Sequence, residues 1–459
     1  MTSMTTQSVV SNLRAVFDGQ VITPDHPDYD SARAVFPGGF DRRPAVIVRP
    51  RDAEGVREVV AQARESGLPL AVRCGGHSDA AHGVCDDGIV LDLTAMKDVD
   101  IDVAGRTVWA GAGLTAAELT TEIGEHGLAV GFGDTGSVGI GGITLGGGVG
   151  FLARKFGLTV DDLLAAELVT AAGEVLLVDA DSHPELFWAI RGGGGNFGVV
   201  TRFRFRLHEL PTVVSGMLLL PASAEVLASF LELAEAAPDE LSTIANVMPA
   251  PPMPMVPEEH HGKMVILALV CYAGPADEGE KVLAPFRTLT TPLTEMVGEV
   301  PFSQVYPPEA PDYHPKAAGH TMFVDSVDGE TAAEIMRLLE SSDASIRVVQ
   351  LRVLGGAVAR VAPDATAYAH RASRIMTNVA AFYDTDEEKA EREAWIREVV
   401  DTIQQSDEGA YVNFLGLEGP ERVHAAYPRA TWDRLVAAKR RYDPDNLFRL
   451  NLNIPPDGA

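Results

Sequence analysis

Three glycine-rich segments hold the residues of this sequence whose types and spacing could do chemistry. The first, residues 73–78, reads RCGGHS and includes a histidine; the second, residues 131–150, contains ten glycines in twenty positions; the third, residues 191–198, reads RGGGGNFG. Successive backbone N–H groups without side chains in front of them bind anions, and paired glycines let a diphosphate approach closely. One such loop is typical of a surface turn, whereas three in one region favour a dinucleotide site.

The dinucleotide is not expected on a Rossmann fold, although residues 131–136 and 193–198 both match G-x-G-x-x-G. That motif has its meaning only between a strand and a helix. The first match runs on into more glycine and the second opens a strand, residues 199–207. Both matches therefore follow from composition.

Other catalytic motifs are missing from the sequence. Ser137 lies in no G-x-S-x-G elbow because position 135 is threonine, and there is no Walker lysine, H-E-x-x-H or C-x-x-C. His260 and His261 are adjacent, which favours a loop pair over a metal site. We expect no metal.

Length and charge limit the class of protein. A chain of 459 residues predicts two domains. With 37 basic and 65 acidic residues the net charge is −28, which disfavours nucleic acid and anionic membranes as partners. Three cysteines and the lack of an apolar segment of signal or membrane-spanning length predict a cytoplasmic protein. The oligomeric state stays open.

The elements that must position these segments differ between the two halves of the chain. Residues 44–93 alternate strand and helix, with Asp52 as N-cap; Thr115 and Glu118 form a capping box, and residues 166–179 form a hairpin. In the second half, strands are predicted at residues 264–272, 320–324, 346–354, 375–383 and 411–416, and helices at 277–289, 331–341 and 387–405. This order predicts an α+β fold whose second domain is an antiparallel sheet backed by helices.

Four ordered motifs make the sequence recognisable. Residues 73–78, 139–150, 194–201 and 442–448 (YDPDNLF) resemble those of the berberine-bridge-enzyme-like flavoproteins, within the vanillyl-alcohol-oxidase group with its PCMH-type FAD-binding fold. The pattern is most similar to that of nicotine-oxidase-like and natural-product-tailoring bacterial members. The resemblance implies an FAD-binding domain at residues 1–207, a substrate-binding domain at 208–416 and a C-terminal return to the FAD domain at 417–459.

The resemblance also implies covalent FAD. His77 occupies the place of the histidine that bonds the flavin 8α-methyl carbon. Bicovalent members have a cysteine where this chain has Thr135, so attachment through His77 alone is expected. The residues expected to bind the cofactor are Arg73, Cys74, Gly75, Gly76, His77, Ser78, His82, Gly83, Thr135, Gly136, Ser137, Val138, Gly139, Gly141, Gly142, Gly148, Val199, Tyr411, Asn413, Asn451 and Asn453.

Four residues are expected to act in catalysis: Val138, Gln350, Arg352 and Tyr411. By resemblance, Val138 lies beside flavin C4a, where valine goes with oxygen-reactive members. Tyr411 and Asn413 match part of a Y-x-N-Y element, but Phe414 replaces the second tyrosine, which argues against a carbohydrate substrate. Gln350, Arg352 and Leu354 share one face of a strand, and an arginine over the flavin would favour a phenolate, enolate or carboxylate. Alternatively, Arg352 points away and pairs with an acid.

The resulting hypothesis is an oxidase that passes hydride from a small organic substrate, which is phenolic, enolic or another secondary metabolite, to flavin N5 and then electrons to O2, giving H2O2. One alternative is an oxygenating or cyclising tailoring enzyme of secondary metabolism on the same fold. Another is a nucleotide-binding module without a redox role.

Overall fold

The structure is a computed structural model that describes residues 2–16, 19–306 and 313–458. In that part of the chain, the helices are α1 (Thr2–Val16), α2 (Tyr29–Arg33), α3 (Ala53–Ser66), α4 (Ala116–Gly124), α5 (Ile140–Leu145), α6 (Ala153–Phe156), α7 (Pro184–Ala189), α8 (Ala224–Ala236), α9 (Ala276–Arg287), α10 (Gly329–Ser341), α11 (Ala357–Arg360), α12 (Asp386–Ile403), α13 (Pro420–Ala426) and α14 (Arg429–Tyr442).

The first domain contains two sheets. A four-stranded sheet, in the order β1-β2-β4-β3, consists of β1 (Gln20–Ile22), β2 (Val46–Arg49), β3 (Leu70–Arg73) and β4 (Ile89–Asp92). A five-stranded antiparallel sheet, in the order β5-β6-β10-β8-β9, consists of β5 (Val99–Asp102), β6 (Thr107–Gly111), β8 (Leu163–Val169), β9 (Val175–Asp179) and β10 (Val199–Arg206). A short pair joins β7 (Leu128–Ala129) to β11 (His208–Glu209).

Helix α3 shows how the sequence forms these elements. The Asp52 side chain accepts the N–H of Gly55 as an N-cap, and Gly67 ends the helix in the left-handed region at φ 68°. Between them Val56, Val59, Val60 and Ala63 are buried. This apolar face packs into a core that both sheets share.

The second domain is a seven-stranded antiparallel sheet in the order β15-β12-β14-β13-β17-β18-β16. Its strands are β12 (Thr212–Pro221), β13 (Leu241–Pro249), β14 (Met264–Tyr272), β15 (Thr294–Pro301), β16 (Ala317–Val324), β17 (Arg347–Val353) and β18 (Ile375–Phe382). Helices α8, α9, α10 and α12 cover one face and bury a second core. The predicted α+β fold with a helix-backed antiparallel sheet is confirmed.

Packing places the crossings between domains a few residues from the predicted positions. Strand β11 still pairs with the first domain, so the chain enters the second sheet only at residues 210–212. At the other crossing, Ala410, Val412 and Leu415 already belong to the core of the first domain. The return from the second domain therefore begins near residue 410 rather than at 417.

The strand predicted at residues 411–416 is wrong. Val412–Phe414 is a short 3₁₀ helix, and the N–H of Phe414 bonds the Tyr411 carbonyl at 3.0 Å. The physical reason is that Tyr411 and Asn413 anchor their side chains to the second glycine-rich segment, as described below, instead of pairing with a neighbouring strand. Among the described helices none is long and apolar enough to cross a lipid bilayer.

Candidate active site

A cavity of about 630 Å³ lies between the two domains. Its walls are the glycine-rich segments of the first domain, strands β17 and β18 of the large sheet, and two stretches of the C-terminal return. Most predicted site residues line it: Arg73, Cys74, Gly75, Gly76, His77, Ser78, His82, Gly83, Thr135, Val138, Gly139, Gly141, Gly142, Val199, Gln350, Arg352, Tyr411, Asn413 and Asn451. Gly136, Ser137, Gly148 and Asn453 are not part of the wall.

Buried charge fixes the base of the first glycine-rich loop. Arg73, at the end of β3, bonds Asp92 at 2.6 Å, and Arg49 bonds the same carboxylate at 2.7 Å. Burial alone would raise the pKa of Asp92, but the two arginines hold it below its ordinary value. The loop that contains His77 thus starts from a rigid position.

Two glycines bring the first and second loops into backbone contact. A Cβ on Gly75 would lie 2.2 Å from the backbone nitrogen of Gly139, and a Cβ on Gly139 would lie 2.3 Å from that of Gly75. Only glycine permits this approach. Elsewhere on the wall, a Cβ on Gly142 or Gly195 would meet no described atom within 4 Å, so there the backbone faces the cavity directly.

His77 is held on two sides. Its Nε2 lies 2.8 Å from the Ser137 hydroxyl oxygen, and its ring stacks on Phe36 with centroids 4.2 Å apart and planes at 17°. Ser137 therefore contacts His77 from behind the cavity wall. Both contacts restrain the imidazole ring on the cavity wall.

The neighbouring histidine is uncharged at neutral pH. Burial, helped by the nearby Arg42 charge, lowers the pKa of His82 to about 4. Its Nδ1 lies 3.2 Å from the Ser78 hydroxyl. His82 and Ser78 thus offer neutral hydrogen-bonding groups beside the loop.

The hydroxyl of Tyr411 is an anchor for the second glycine-rich segment. It accepts the N–H groups of Gly148 at 3.0 Å and Val149 at 3.2 Å, and the side-chain amide of Asn413 at 2.9 Å. Asn413 also donates to the Ile143 carbonyl at 3.0 Å. Burial raises the pKa of Tyr411. A buried phenol that accepts three hydrogen bonds is better suited to holding the loop in position than to removing a proton from a substrate.

Alternate residues of β17 and β18 form the sheet face of the cavity. They are Val348, Gln350 and Arg352 on β17, and Asn378, Ala380 and Phe382 on β18. The face shared by Gln350 and Arg352 is as the alternation predicts. Leu354 follows the end of the strand and is buried in a separate cluster.

Arg352 points into the cavity and also pairs with an acid. Its Nη2 lies 2.7 Å from Oδ2 of Asp134, and its Nε and Nη2 donate to Oε1 of Gln350 at 2.9 and 2.7 Å. The sequence offered a choice between a lone cation over the site and a cation that pairs elsewhere. The pairing occurs inside the site, so Arg352 is not the lone cation that would favour an anionic substrate.

Sequence reasoning missed several wall residues: Phe36, Asp134, Asn378, Phe382 and Tyr427. Asp134 directly precedes Thr135 in a motif that was recognised, so its place in the chain was a usable signal. Asn378 and Phe382 lie on a strand that was predicted at residues 375–383. That these two side chains face the cavity follows only from the register of β17 against β18.

The C-terminal tail closes the wall through a buried ammonium group. Lys439 Nζ donates to the carbonyls of Asn196 and Phe448, both at 2.9 Å, and pairs with Asp443 at 2.7 Å. These bonds join the tail to the third glycine-rich segment. They also place Asn451 on the wall, where its buried Oδ1 has no hydrogen-bond partner among the described residues.

These features fit FAD. Open backbone at Gly142 and Gly195 suits close contact with a dinucleotide, and the Asn451 Oδ1 is an acceptor still to be satisfied. The cavity has the size of a ligand site between domains.

Known protein families match both ends of the chain. Residues 44–179 match the FAD binding domain family, and residues 410–455 match the berberine and berberine-like family. The first match covers the first two glycine-rich segments, including His77, and the second covers the C-terminal return with Tyr411 and Asn451.

Individual proteins match over nearly the whole length. (R)-6-Hydroxynicotine oxidase of Paenarthrobacter nicotinovorans is 31% identical over 455 residues, which are 96% of this chain and 97% of that protein. An FAD-linked oxidoreductase of Bacillus subtilis (strain 168) is 29% identical over 95% of this chain and 97% of its own.

Solved structures agree. The crystal structure of 6-hydroxy-D-nicotine oxidase from Arthrobacter nicotinovorans superimposes with a TM-score of 0.86 at 30% identity, over 96% of this chain and 98% of that one. Glucooligosaccharide oxidase from Acremonium strictum, described with a 6-S-cysteinyl, 8α-N1-histidyl FAD, has the same fold, with a TM-score of 0.84 at 24% identity over 98% of this chain and 99% of that one. The chain therefore belongs to the berberine-bridge-enzyme-like family of FAD-linked oxidoreductases.

Proposed function

We propose that this enzyme is an oxidase whose FAD is attached covalently to His77 and whose electron acceptor is dioxygen. The observation that carries the proposal is the position of His77, which lies on the cavity wall with its Nε2 against Ser137 and its ring against Phe36. A histidine that merely bonded a diphosphate loop would not need to be aligned from both sides. The alignment supports a ring held for bond formation.

Attachment at a single residue follows from the surroundings of the cysteines. Thr135 stands where bicovalent relatives have cysteine. Burial raises the pKa of Cys74 to about 12 and that of Cys85 to about 11, so neither thiol supplies a thiolate at neutral pH. Cys271 is fully buried in the second domain. His77 is the remaining nucleophile on the wall that the family resemblance assigns to flavin.

The residues of this chain bind and orient. The loops around Gly75, Gly139 and Gly142 would hold the dinucleotide, with Asn451 and the tail closing over it. The sheet face, with Gln350, Arg352 and Asn378, would hold the substrate on the opposite side. The chemistry supplied by bound FAD is acceptance of a hydride from a substrate C–H bond and return of the electrons to dioxygen as hydrogen peroxide.

The substrate we propose is a small phenolic, enolic or related organic compound. The cavity wall combines hydrogen-bonding groups with the aromatic rings of Phe382 and Phe414. Phe414 stands where sugar-oxidising relatives have a tyrosine, which speaks against a carbohydrate. A relative at 31% identity is named an oxidase of (R)-6-hydroxynicotine, which carries a hydroxylated ring.

Two measurements test the proposal. Wild-type protein precipitated with acid should keep its yellow colour, and the flavin-labelled peptide should contain His77, while His77→Ala should release its flavin. Phenols, alcohols and amines should then be screened for anaerobic bleaching of the flavin. One peroxide per product supports the oxidase, and oxygen incorporated into the product would instead indicate an oxygenating enzyme.

A further inference from the structure

Asp134 and Arg352 meet across the cavity from different domains. Asp134 lies in the second glycine-rich segment, Arg352 lies on β17, and Oδ2 and Nη2 are 2.7 Å apart. Both residues line the cavity. The arginine side chain is 6% exposed and the aspartate side chain 20%, so water weakens their attraction less than at an open surface.

The arginine is held in place by its neighbours. Oε1 of Gln350 accepts two of its N–H groups, and Gln350 in turn donates to Oδ1 of Asn246 at 2.8 Å. The guanidinium lies over the Phe414 ring, 5.1 Å from its centroid. Its Nη1 is buried and has no hydrogen-bond partner among the described residues. The Nη1 donor of this fixed guanidinium group is therefore left unsatisfied beside the cavity.

The pair makes this wall electrically neutral. The other residues of the sheet face, Val348, Gln350, Asn378, Ala380 and Phe382, carry no charge. A carboxylate that approaches Arg352 also approaches the Asp134 carboxylate, and an ammonium that approaches Asp134 meets the guanidinium. Either ion gains one attraction, suffers one repulsion and loses its hydration. An uncharged ligand leaves the pair intact and can accept a hydrogen bond from Nη1.

We propose that the Asp134–Arg352 pair determines the specificity of the substrate chamber by selecting an uncharged substrate with a hydrogen-bond acceptor, such as a carbonyl or the hydroxyl oxygen of an un-ionised phenol. This inference rests on the proposed function in so far as the sheet side of the cavity is the substrate chamber. It narrows the substrate class to neutral molecules.

Three planar ligands of one size test it: benzoate, benzamide and benzamidinium, which are negative, neutral and positive at neutral pH. Binding to flavin-loaded protein is measured by calorimetry and by the shift of the flavin absorption bands. The proteins are the wild type, Asp134→Asn, Arg352→Gln, the double variant, and Arg352→Lys as the matched control that keeps the positive charge. Flavin content and circular dichroism verify that each variant is folded, and each single variant reports by itself.

Wild type, Arg352→Lys and the double variant should bind benzamide more tightly than either ion, in the wild type by about tenfold or more. Asp134→Asn leaves the arginine unopposed and should prefer benzoate, whereas Arg352→Gln leaves the aspartate unopposed and should prefer benzamidinium. The proposal is overturned if the order of the three ligands is the same in all five proteins, including the case in which none of them discriminates. Failure of the proposed function is seen separately, as flavin that no substrate bleaches.

Discussion

The Ser137 hydroxyl oxygen lies 2.8 Å from Nε2 of His77, although sixty residues separate the two in the chain. Ser137 is not part of the cavity wall, so it would influence a ligand in the cavity only by way of His77. Because it engages one ring nitrogen, Ser137 orients the other edge of the imidazole. It is a positioning residue for the attachment we propose.

Ser137→Ala should lower the fraction of flavin that stays with the acid-precipitated chain, since the ring loses the hydroxyl that fixes its rotation. Loss of one hydrogen bond of this kind corresponds to about 1 kcal/mol, or roughly a fivefold effect on the rate of attachment. The covalent fraction is followed by mass spectrometry after mixing apoprotein with FAD. Ser137→Thr, which keeps the hydroxyl, is the control, and equal rates in the alanine variant and wild type would remove Ser137 from the argument.

Val138→Leu should slow reoxidation of the reduced flavin by dioxygen by about tenfold, or about 1.4 kcal/mol of barrier, with much less effect on reduction by substrate. Val138 lines the cavity, and one more methylene narrows the space in which oxygen meets the flavin. Stopped-flow traces of the two half-reactions measure this. Val138→Ala, which widens the space, should not slow reoxidation; if the leucine variant reoxidises as fast as wild type, Val138 does not gate oxygen.

Acid should destabilise the protein in part through His82. Its pKa falls from 6.5 to about 4 on folding, so the unfolded chain binds the extra proton and stability is lost as pH falls from about 6.5 towards 4. Each unit of pKa difference corresponds to about 1.4 kcal/mol. After a discount for the partial exposure of His82, the free energy of unfolding should fall by about 2 kcal/mol. His82→Asn should flatten this part of the profile. Thermal unfolding at several pH values compares the two proteins, and parallel profiles would contradict the assignment.

Lys439→Met should destabilise the fold by about 3–5 kcal/mol, because it leaves the fully buried Asp443 carboxylate without its partner. The same change should loosen the tail and reduce flavin retention, since Lys439 also bonds the Asn196 and Phe448 carbonyls. Lys389→Met is the matched control: its pair with Glu393 is about half exposed and should contribute less than about 0.5 kcal/mol. Similar losses in both variants, measured by denaturant unfolding, would contradict this account.

Local motifs predicted the loops well and their partners poorly. His77, Val138 and Asn451 each lie in a short stretch that contains glycines or asparagines, and the neighbouring residues of that stretch identify it as a binding motif. All three line the cavity. The partner of Arg352 could not be read in this way. Asp134 lies 218 residues away, and the contact depends on how two domains meet rather than on either local sequence.

The mistaken strand at residues 411–416 has a related cause. Tyr411, Val412 and Phe414 have the high strand propensity of aromatic and β-branched residues. The conformation of residues 411–416 is set instead by the hydrogen bonds that the N–H groups of Gly148 and Val149 donate to the Tyr411 hydroxyl. A tertiary hydrogen bond thus overrode the local preference.

The cavity wall draws on both ends of the chain: the loops near residues 73–83 come early, while Tyr411, Asn413 and Asn451 come among the last fifty. During synthesis, a ribosome that has made the first two hundred residues has completed the family's FAD-binding segment but not the binding site. The Lys439 clasp on Asn196 and the Tyr411 anchor on Gly148 form only once the tail has left the exit tunnel. A chain that lacks residues 411–451 therefore lacks part of the cofactor site, and we expect nascent or truncated chains of this kind to be colourless.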